Sequence, residues 1–249
     1  MDDVPRPLIE HLDELRRRLF WALGSWALCA AVAGYWVKDV FRILTGPAVD
    51  ALLERDYTLV ALAPPELFFT YVKSALLTGF LVSLPMILYQ AWAFVSPGLY
   101  RQERRFALPF VVCTTLLFLA GATFGYFVAF PFVFQYFLSL ESEVIRTSWS
   151  VQTVFSFMAR LYLAFGTAFQ LPIVLFFLSL AGIITPTLLS RWRKYAIVII
   201  FAASAIITPP DVVSQVMLAL PLWALYEIGL LVSRLVVRRR ARLAEPTGQ

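Results

Sequence analysis

Three glutamates and one glutamine carry the chemical promise of this sequence. Glu14 lies among Leu8, Leu12, Leu15 and Leu19, four residues before Arg18. Glu103 is the one acid in the stretch 95–105, which also holds Arg101, Arg104 and Arg105. Glu227 interrupts the otherwise uncharged run Val212–Ser233, and Gln170 lies inside the uncharged run Leu161–Ser190. A carboxylate offers two coplanar oxygens that match the fork of a guanidinium. Each acid also has a plainer reading. Glu14 and Arg18 form an ordinary i,i+4 helix pair, Glu103 balances its neighbouring arginines, and Glu227 is either functional or a protonated or paired group joining helices. An ionisable residue inside a bilayer costs about 2.5–3.5 kcal/mol on insertion scales. Gln170 is neutral and reads first as a hydrogen-bonding group between helices. No enzyme constellation accompanies these residues. His11 is the single histidine, Cys29 and Cys113 both fall in apolar runs, and no phosphate-cradling GxxxxGK[ST] or HExxH spacing occurs. The sequence therefore calls for no cofactor and no metal.

The elements that must position these groups are membrane helices. The chain has 249 residues, 60% hydrophobic and 15% charged, with a mean hydropathy of +0.77. That is too few charges to cover a soluble protein of this size, and they are clustered. The composition excludes a disordered chain and a disulfide-rich secreted domain. A bilayer core of about 30 Å needs about 20 helical residues. The uncharged runs accommodate six spans, placed near 19–37, 68–94, 106–132, 152–181, 195–208 and 213–233. Pro131 is expected to end the third helix late in its run. The fifth and sixth spans are expected to be short, thinning the bilayer beside them and leaving a wall on which a partner's single helix can dock. The predicted class is an all-α integral membrane protein, a single membrane domain without internal repeats.

Lys and Arg give the orientation. The N-terminus, the 95–105 and 182–194 loops and the C-terminal tail hold 15 of the 21 basic residues. The opposite loops hold Lys38, Arg42, Arg55 and Arg146. The positive-inside rule then places both termini in the cytoplasm, which agrees with an even number of spans. Ala31-Val32-Ala33 resembles a cleavage site, but the acids before it and Trp21 and Trp26 within the run argue against a cleaved signal peptide. Residues 7–18 read as a cytoplasmic amphipathic helix begun by Pro7. Pro97-Gly98 marks a turn, and 234–249 reads as a basic tail.

Four stretches together resemble the TatC family, the multispanning core subunit of the twin-arginine protein translocase. They are Ile9–Leu19 (IEHLDELRRRL), Tyr89–Phe94 continuing through Pro97 to Arg105, Thr208-Pro209-Pro210-Asp211 with Ser214-Gln215, and Glu227-Ile228-Gly229. The resemblance implies a concave six-helix bundle in a bacterial or archaeal cytoplasmic (inner) membrane. It implies binding of twin-arginine signal peptides of folded precursors and assembly, in several copies, with the single-span proteins TatA and TatB. Transport would be driven by the proton-motive force. It places signal binding on Glu14, Phe94 and Glu103, with Arg16 and Pro97 in the same surface, and an external cap at Pro209, Pro210 and Asp211. Gln170 and Glu227 are the intramembrane polar groups available for partner contact. Gln170 stands where the family often has Glu, so a charged role there is replaced by a hydrogen-bonding one. The competing reading is a proton-coupled small-solute transporter using Glu227, against which stands the lack of repeats and of a polar midplane cluster.

Overall fold

The leucine stripe and the apolar run behind it form one continuous helix, because no proline interrupts residues 8–35 and the few glycines there are tolerated. The computed structural model describes residues 8–95, 107–141, 147–180, 182–208 and 211–244. Their helices are α1 (Leu8–Tyr35), α2 (Val37–Leu53), α3 (Pro64–Val95), α4 (Ala107–Phe124), a π-helical segment (Gly125–Ala129), α5 (Phe130–Ser139), α6 (Val151–Ala168), α7 (Leu171–Leu180), α8 (Pro186–Ile207) and α9 (Val212–Ala244). The protein is all-helical and membrane-embedded. Four helical stretches, 64–94, 108–139, 151–180 and 212–237, are long and apolar enough to cross a bilayer, and α1 with α2 makes a fifth if the bent pair is one span. α8 is not among them, since Arg191, Arg193 and Lys194 charge its first turns.

Contacts divide the chain into two compact units, residues 1–46, 60–116 and 150–152, and residues 47–59, 117–149 and 153–249. In the first unit α1 and α3 pack antiparallel. The Trp26 indole N–H donates to the Leu76 carbonyl at 2.9 Å, and its ring meets Phe80 edge-on at 6.3 Å. Gly79 is where the two backbones come closest. A Cβ there would lie 2.5 Å from the backbone of Ala30, so only glycine fits without moving a helix. α2 leaves α1 at an angle of 91° beside Trp36.

The second unit shows why Pro131 does not stop its helix. The Phe130 N–H donates to the Gly125 carbonyl, five residues back. This π turn shifts the hydrogen-bond register just before the residue that lacks an N–H, and the helix runs on to Ser139. Gly121 and Gly125, one turn apart, lie against α6, where a Cβ on Gly121 would meet the Phe165 carbonyl oxygen at 2.4 Å. The fourth apolar run is likewise two helices, parted at Phe169-Gln170. α9 packs on both α7 and α8. Between α7 and α9 the hydroxyls of Ser179 and Ser233 share a 2.6 Å hydrogen bond. Between α8 and α9 the Tyr226 hydroxyl donates to the Leu189 carbonyl at 2.7 Å.

Candidate functional site

Glu14 and Phe94 are brought to the same level of the first unit by the α1–α3 pairing. The Arg18 guanidinium donates to the Glu14 carboxylate through Nε at 3.0 Å and again through Nη2. Its Nη1 reaches the Gln90 Oε1 of α3 at 3.5 Å. Because the helices are antiparallel, one turn back from Arg18 on α1 lies level with one turn forward from Gln90 on α3, which sets Glu14 opposite Phe94. The Glu14 side chain is 12% exposed and the Arg18 side chain 21%. This is a sheltered acceptor with an arginine already docked on it. Beside it Trp92 is buried and stacks on Phe110 of α4 at 4.1 Å, which fixes the end of α3. Gln90 lies within a stretch that carried the resemblance, yet its contact with Arg18 depends on interhelical packing that no spacing rule reveals.

Arg16 does not share this surface. Two residues along a helix is a rotation of about 200°, so Arg16 and Glu14 point roughly 160° apart. The Arg16 guanidinium lies over the Phe20 ring, 5.7 Å from its centre. Glu103 and Pro97, and the cap residues Pro209 and Pro210, lie outside the described residues.

Asp211 is the N-cap of α9. Its carboxylate accepts from the Ser214 N–H at 2.8 Å and from the Ser214 hydroxyl, and its carbonyl accepts from the Gln215 N–H at 3.2 Å. These are the orphan donors that a helix start must satisfy. The Gln215 side-chain amide then donates to the Phe201 carbonyl of α8 at 2.9 Å, which holds the α8–α9 hairpin at its tip.

Gln170 occupies the break between α6 and α7. Its N–H donates to the Thr167 carbonyl at 3.0 Å and its own carbonyl accepts from Val174 at 3.0 Å. Pro172 follows at the second position of α7, where a missing N–H is harmless. Glu227 is paired: Arg193 Nη2 donates to its carboxylate at 2.7 Å, joining α8 to α9. A transporter that cycles protons on Glu227 would need that carboxylate available, and here a guanidinium occupies it.

A further carboxylate was not singled out by sequence reasoning. Glu66 is buried in the first turn of α3 and accepts from the Leu62 N–H at 2.6 Å, the Ser150 hydroxyl at 2.5 Å and the Gln152 N–H at 2.8 Å. Gln152 is the second residue of α6, so Glu66 satisfies an orphan N–H and the positive end of a helix distant in sequence. An acid just after Pro64-Pro65 is a helix-start signal, but its partners at 150 and 152 are not legible locally.

The chain matches the Sec-independent protein translocase protein (TatC) family over residues 10–221. The chain belongs to the TatC family. It is 42% identical to the Sec-independent protein translocase protein TatC of Desulforapulum autotrophicum, across 96% of this chain and 88% of that one. It is 41% identical to the Aquifex aeolicus TatC, across 95% and 98%. A crystal structure of the twin arginine translocase receptor TatC superposes with a TM-score of 0.83 at 40% identity, covering 91% of this chain and 99% of that one. Membership makes the chain a membrane component of a protein translocase. The family match takes in Glu14, Phe94, Glu103, Gln170 and Asp211, and ends at Pro221, six residues before Glu227.

Proposed function

We propose that this chain is the receptor subunit of a twin-arginine translocase, binding twin-arginine signal peptides through Glu14 and Glu103 with Phe94 beside them. The observation that carries the reading is the sheltered Glu14 carboxylate, already filled by the Arg18 guanidinium and level with Phe94. The site takes a guanidinium in the free protein, and a signal arginine would displace Arg18 to occupy it. Glu103, among three arginines in the following loop, would accept the second arginine. A hydrogen bond to a charged group contributes about 1.5–3 kcal/mol, roughly tenfold or more in affinity per carboxylate. Phe94 would offer the peptide an apolar or cation–π surface. Arg16 stands outside this clamp.

The wider reading has both termini in the cytoplasm of a bacterial or archaeal inner membrane, six spans, and transport of folded precursors driven by the proton-motive force. TatA- and TatB-type single-span proteins would dock on the α8–α9 hairpin. Between the Arg193–Glu227 pair and Thr208 that hairpin offers only about 20 Å of apolar helix, at 1.5 Å per residue. An apolar groove of about 140 Å³ lined by Ile197, Ile200, Phe201, Ala219, Leu220 and Trp223 runs along it. External labelling of a thiol placed at Ser96 in intact cells would overturn the orientation.

The test of the clamp is a binding titration of Arg-Arg and Lys-Lys signal peptides against wild type, Glu14→Ala and Glu103→Ala. Each variant is expected to lose affinity for the Arg-Arg peptide about tenfold while folding and partner assembly persist, since one charge-assisted contact is lost. An unchanged preference for Arg-Arg over Lys-Lys in both variants would remove the clamp.

A further inference from the structure

Asp13, Arg16, Arg17, Phe20, Trp21 and Gly24 recur at three- and four-residue intervals and occupy one face of α1, turned roughly 100° from the Glu14–Arg18 side. They line an open groove of about 590 Å³. Its chemistry is graded along the helix. Asp13, Arg16 and Arg17 sit at one end, exposed, just before the uncharged run that begins at Leu19. Phe20 and Trp21 follow, 64% and 63% exposed. At the far end Gly24 carries no side chain and the space beside it is open, since a Cβ placed there meets nothing within 4 Å. Arg17 makes no ion pair among the described residues, and Arg16 is engaged only over the Phe20 ring.

We propose that this groove is a binding site for the headgroup and upper acyl chain of an anionic glycerophospholipid, of which phosphatidylglycerol is the fitting case. The charge balance selects it. Two guanidiniums and one carboxylate leave a single net positive charge, which matches a phosphodiester with one negative charge. The glycerol hydroxyls supply uncharged donors for Asp13, set apart from the phosphate that the guanidiniums take. Below the phosphate, Trp21 is an amphipathic interface anchor of the kind that sits at headgroup depth, Phe20 adds an apolar ring beside it, and the open space at Gly24 admits the start of an acyl chain beside the helix. The site lies on a different face from Glu14 and holds whether or not the signal-peptide reading does. It also gives Arg16 a role on the face to which the helix turns it, away from Glu14.

The experiment uses the full-length protein, purified and delipidated in detergent, then titrated with phosphatidylglycerol, phosphatidylethanolamine and phosphatidylcholine, with bound lipid counted by native mass spectrometry. Wild type is expected to retain one phosphatidylglycerol in preference to the other two. Arg17→Gln should weaken that retention about fivefold or more, the factor expected for one basic residue at a membrane surface, and Gly24→Leu, which occupies the space the acyl chain would take, should weaken it too. Arg191→Gln, which removes an exposed charge elsewhere, should leave it unchanged. Equal retention of the three lipids overturns the site, as does a loss with Arg191→Gln as large as with Arg17→Gln. If both groove variants keep phosphatidylglycerol but lose recovery of a single-span protein partner, the face is a protein interface and the lipid site is wrong. Thermal unfolding of each variant guards against a folding defect, and Arg17→Gln carries the test should Gly24→Leu fail to fold. Arg-Arg peptide affinity measured on the same samples separates the two proposals: loss of peptide binding with lipid retention intact strikes the clamp alone.

Discussion

Glu66 and Glu227 are both carboxylates beside apolar helices, and the protein satisfies them by opposite means. Glu66 is held by neutral donors, the Leu62, Ala63 and Gln152 N–H groups and the Ser150 hydroxyl. Glu227 has a guanidinium at 2.7 Å from another helix, and both partners keep part of their surface open, 24% for the glutamate side chain and 44% for the arginine. Neutral donors that are themselves backbone groups cannot rearrange when the acid is removed. A long arginine side chain can. Removal of the acid is therefore expected to cost far more at Glu66, although the ion pair at Glu227 looks like the stronger interaction.

The largest effect is accordingly expected for Glu66→Ala. It strands the Leu62 and Gln152 N–H groups and the Ser150 hydroxyl together, and it unfastens residues 60–62 from 150–152, where the Val151 N–H also donates to the Val60 carbonyl at 3.1 Å. The thermal unfolding midpoint in detergent should fall by several degrees or more. Glu66→Gln keeps one acceptor oxygen and should fall less. An Ala variant that melts with the wild type would show that water replaces the carboxylate freely.

Next in size is the α8–α9 ion pair. Arg193→Gln leaves Glu227 beside an apolar wall without its partner, at an expected cost of about 1–2 kcal/mol for a partly exposed charge-assisted contact. Glu227→Gln should cost less, because the exposed Arg193 can turn to water. The exchanged pair, Arg193→Glu with Glu227→Arg, should recover most of the loss. Failure of the exchange to recover stability, measured as a double-mutant cycle, would mean that packing rather than charge holds the two helices.

Much of the helix content was legible because uncharged runs in a charge-poor chain have few other fates. Glu14 with Arg18 was legible too, since i,i+4 spacing is local. The breaks were harder to read. The 91° bend at Trp36 falls inside the uninterrupted run Leu19–Val37, with no proline to announce it. The parting at Phe169-Gln170 falls inside Leu161–Ser190, and Pro131 signalled an end where a π turn absorbs it. Each outcome is decided by packing against other helices, which local propensity does not contain. The site divides in the same way. The resemblance put Arg16 in the same surface as Glu14, and the helix turns the two to different faces. Glu66 meets Ser150 and Gln152 across more than eighty residues of chain, a pairing only the folded protein creates.

The smallest effect concerns Glu141, which extends the contrast to an acid outside the spans. It follows α5 and, like Glu66, is held by neutral donors. The Thr147 N–H donates to it at 3.2 Å, and the Tyr57 hydroxyl donates as well. Partial burial pushes its pKa up, but these hydrogen bonds outweigh that and hold it below the ordinary carboxylate value. The sign follows directly. A carboxyl that ionises more readily in the folded chain than in the unfolded one stabilises the fold when charged. Its contribution is complete above the ordinary carboxylate range and disappears as pH falls through the folded value. Wild type and Glu141→Gln should therefore differ in melting midpoint at neutral pH and converge in acid, with the wild type higher. Other carboxylates, Glu66 among them, titrate in both proteins and cancel in the difference. The effect should be the least of the three because Glu141 is only half-buried and water competes for its oxygens. A difference that stays constant from neutral pH into acid would show that Glu141 acts through shape, and that neutral donors favour its charge no more than water does.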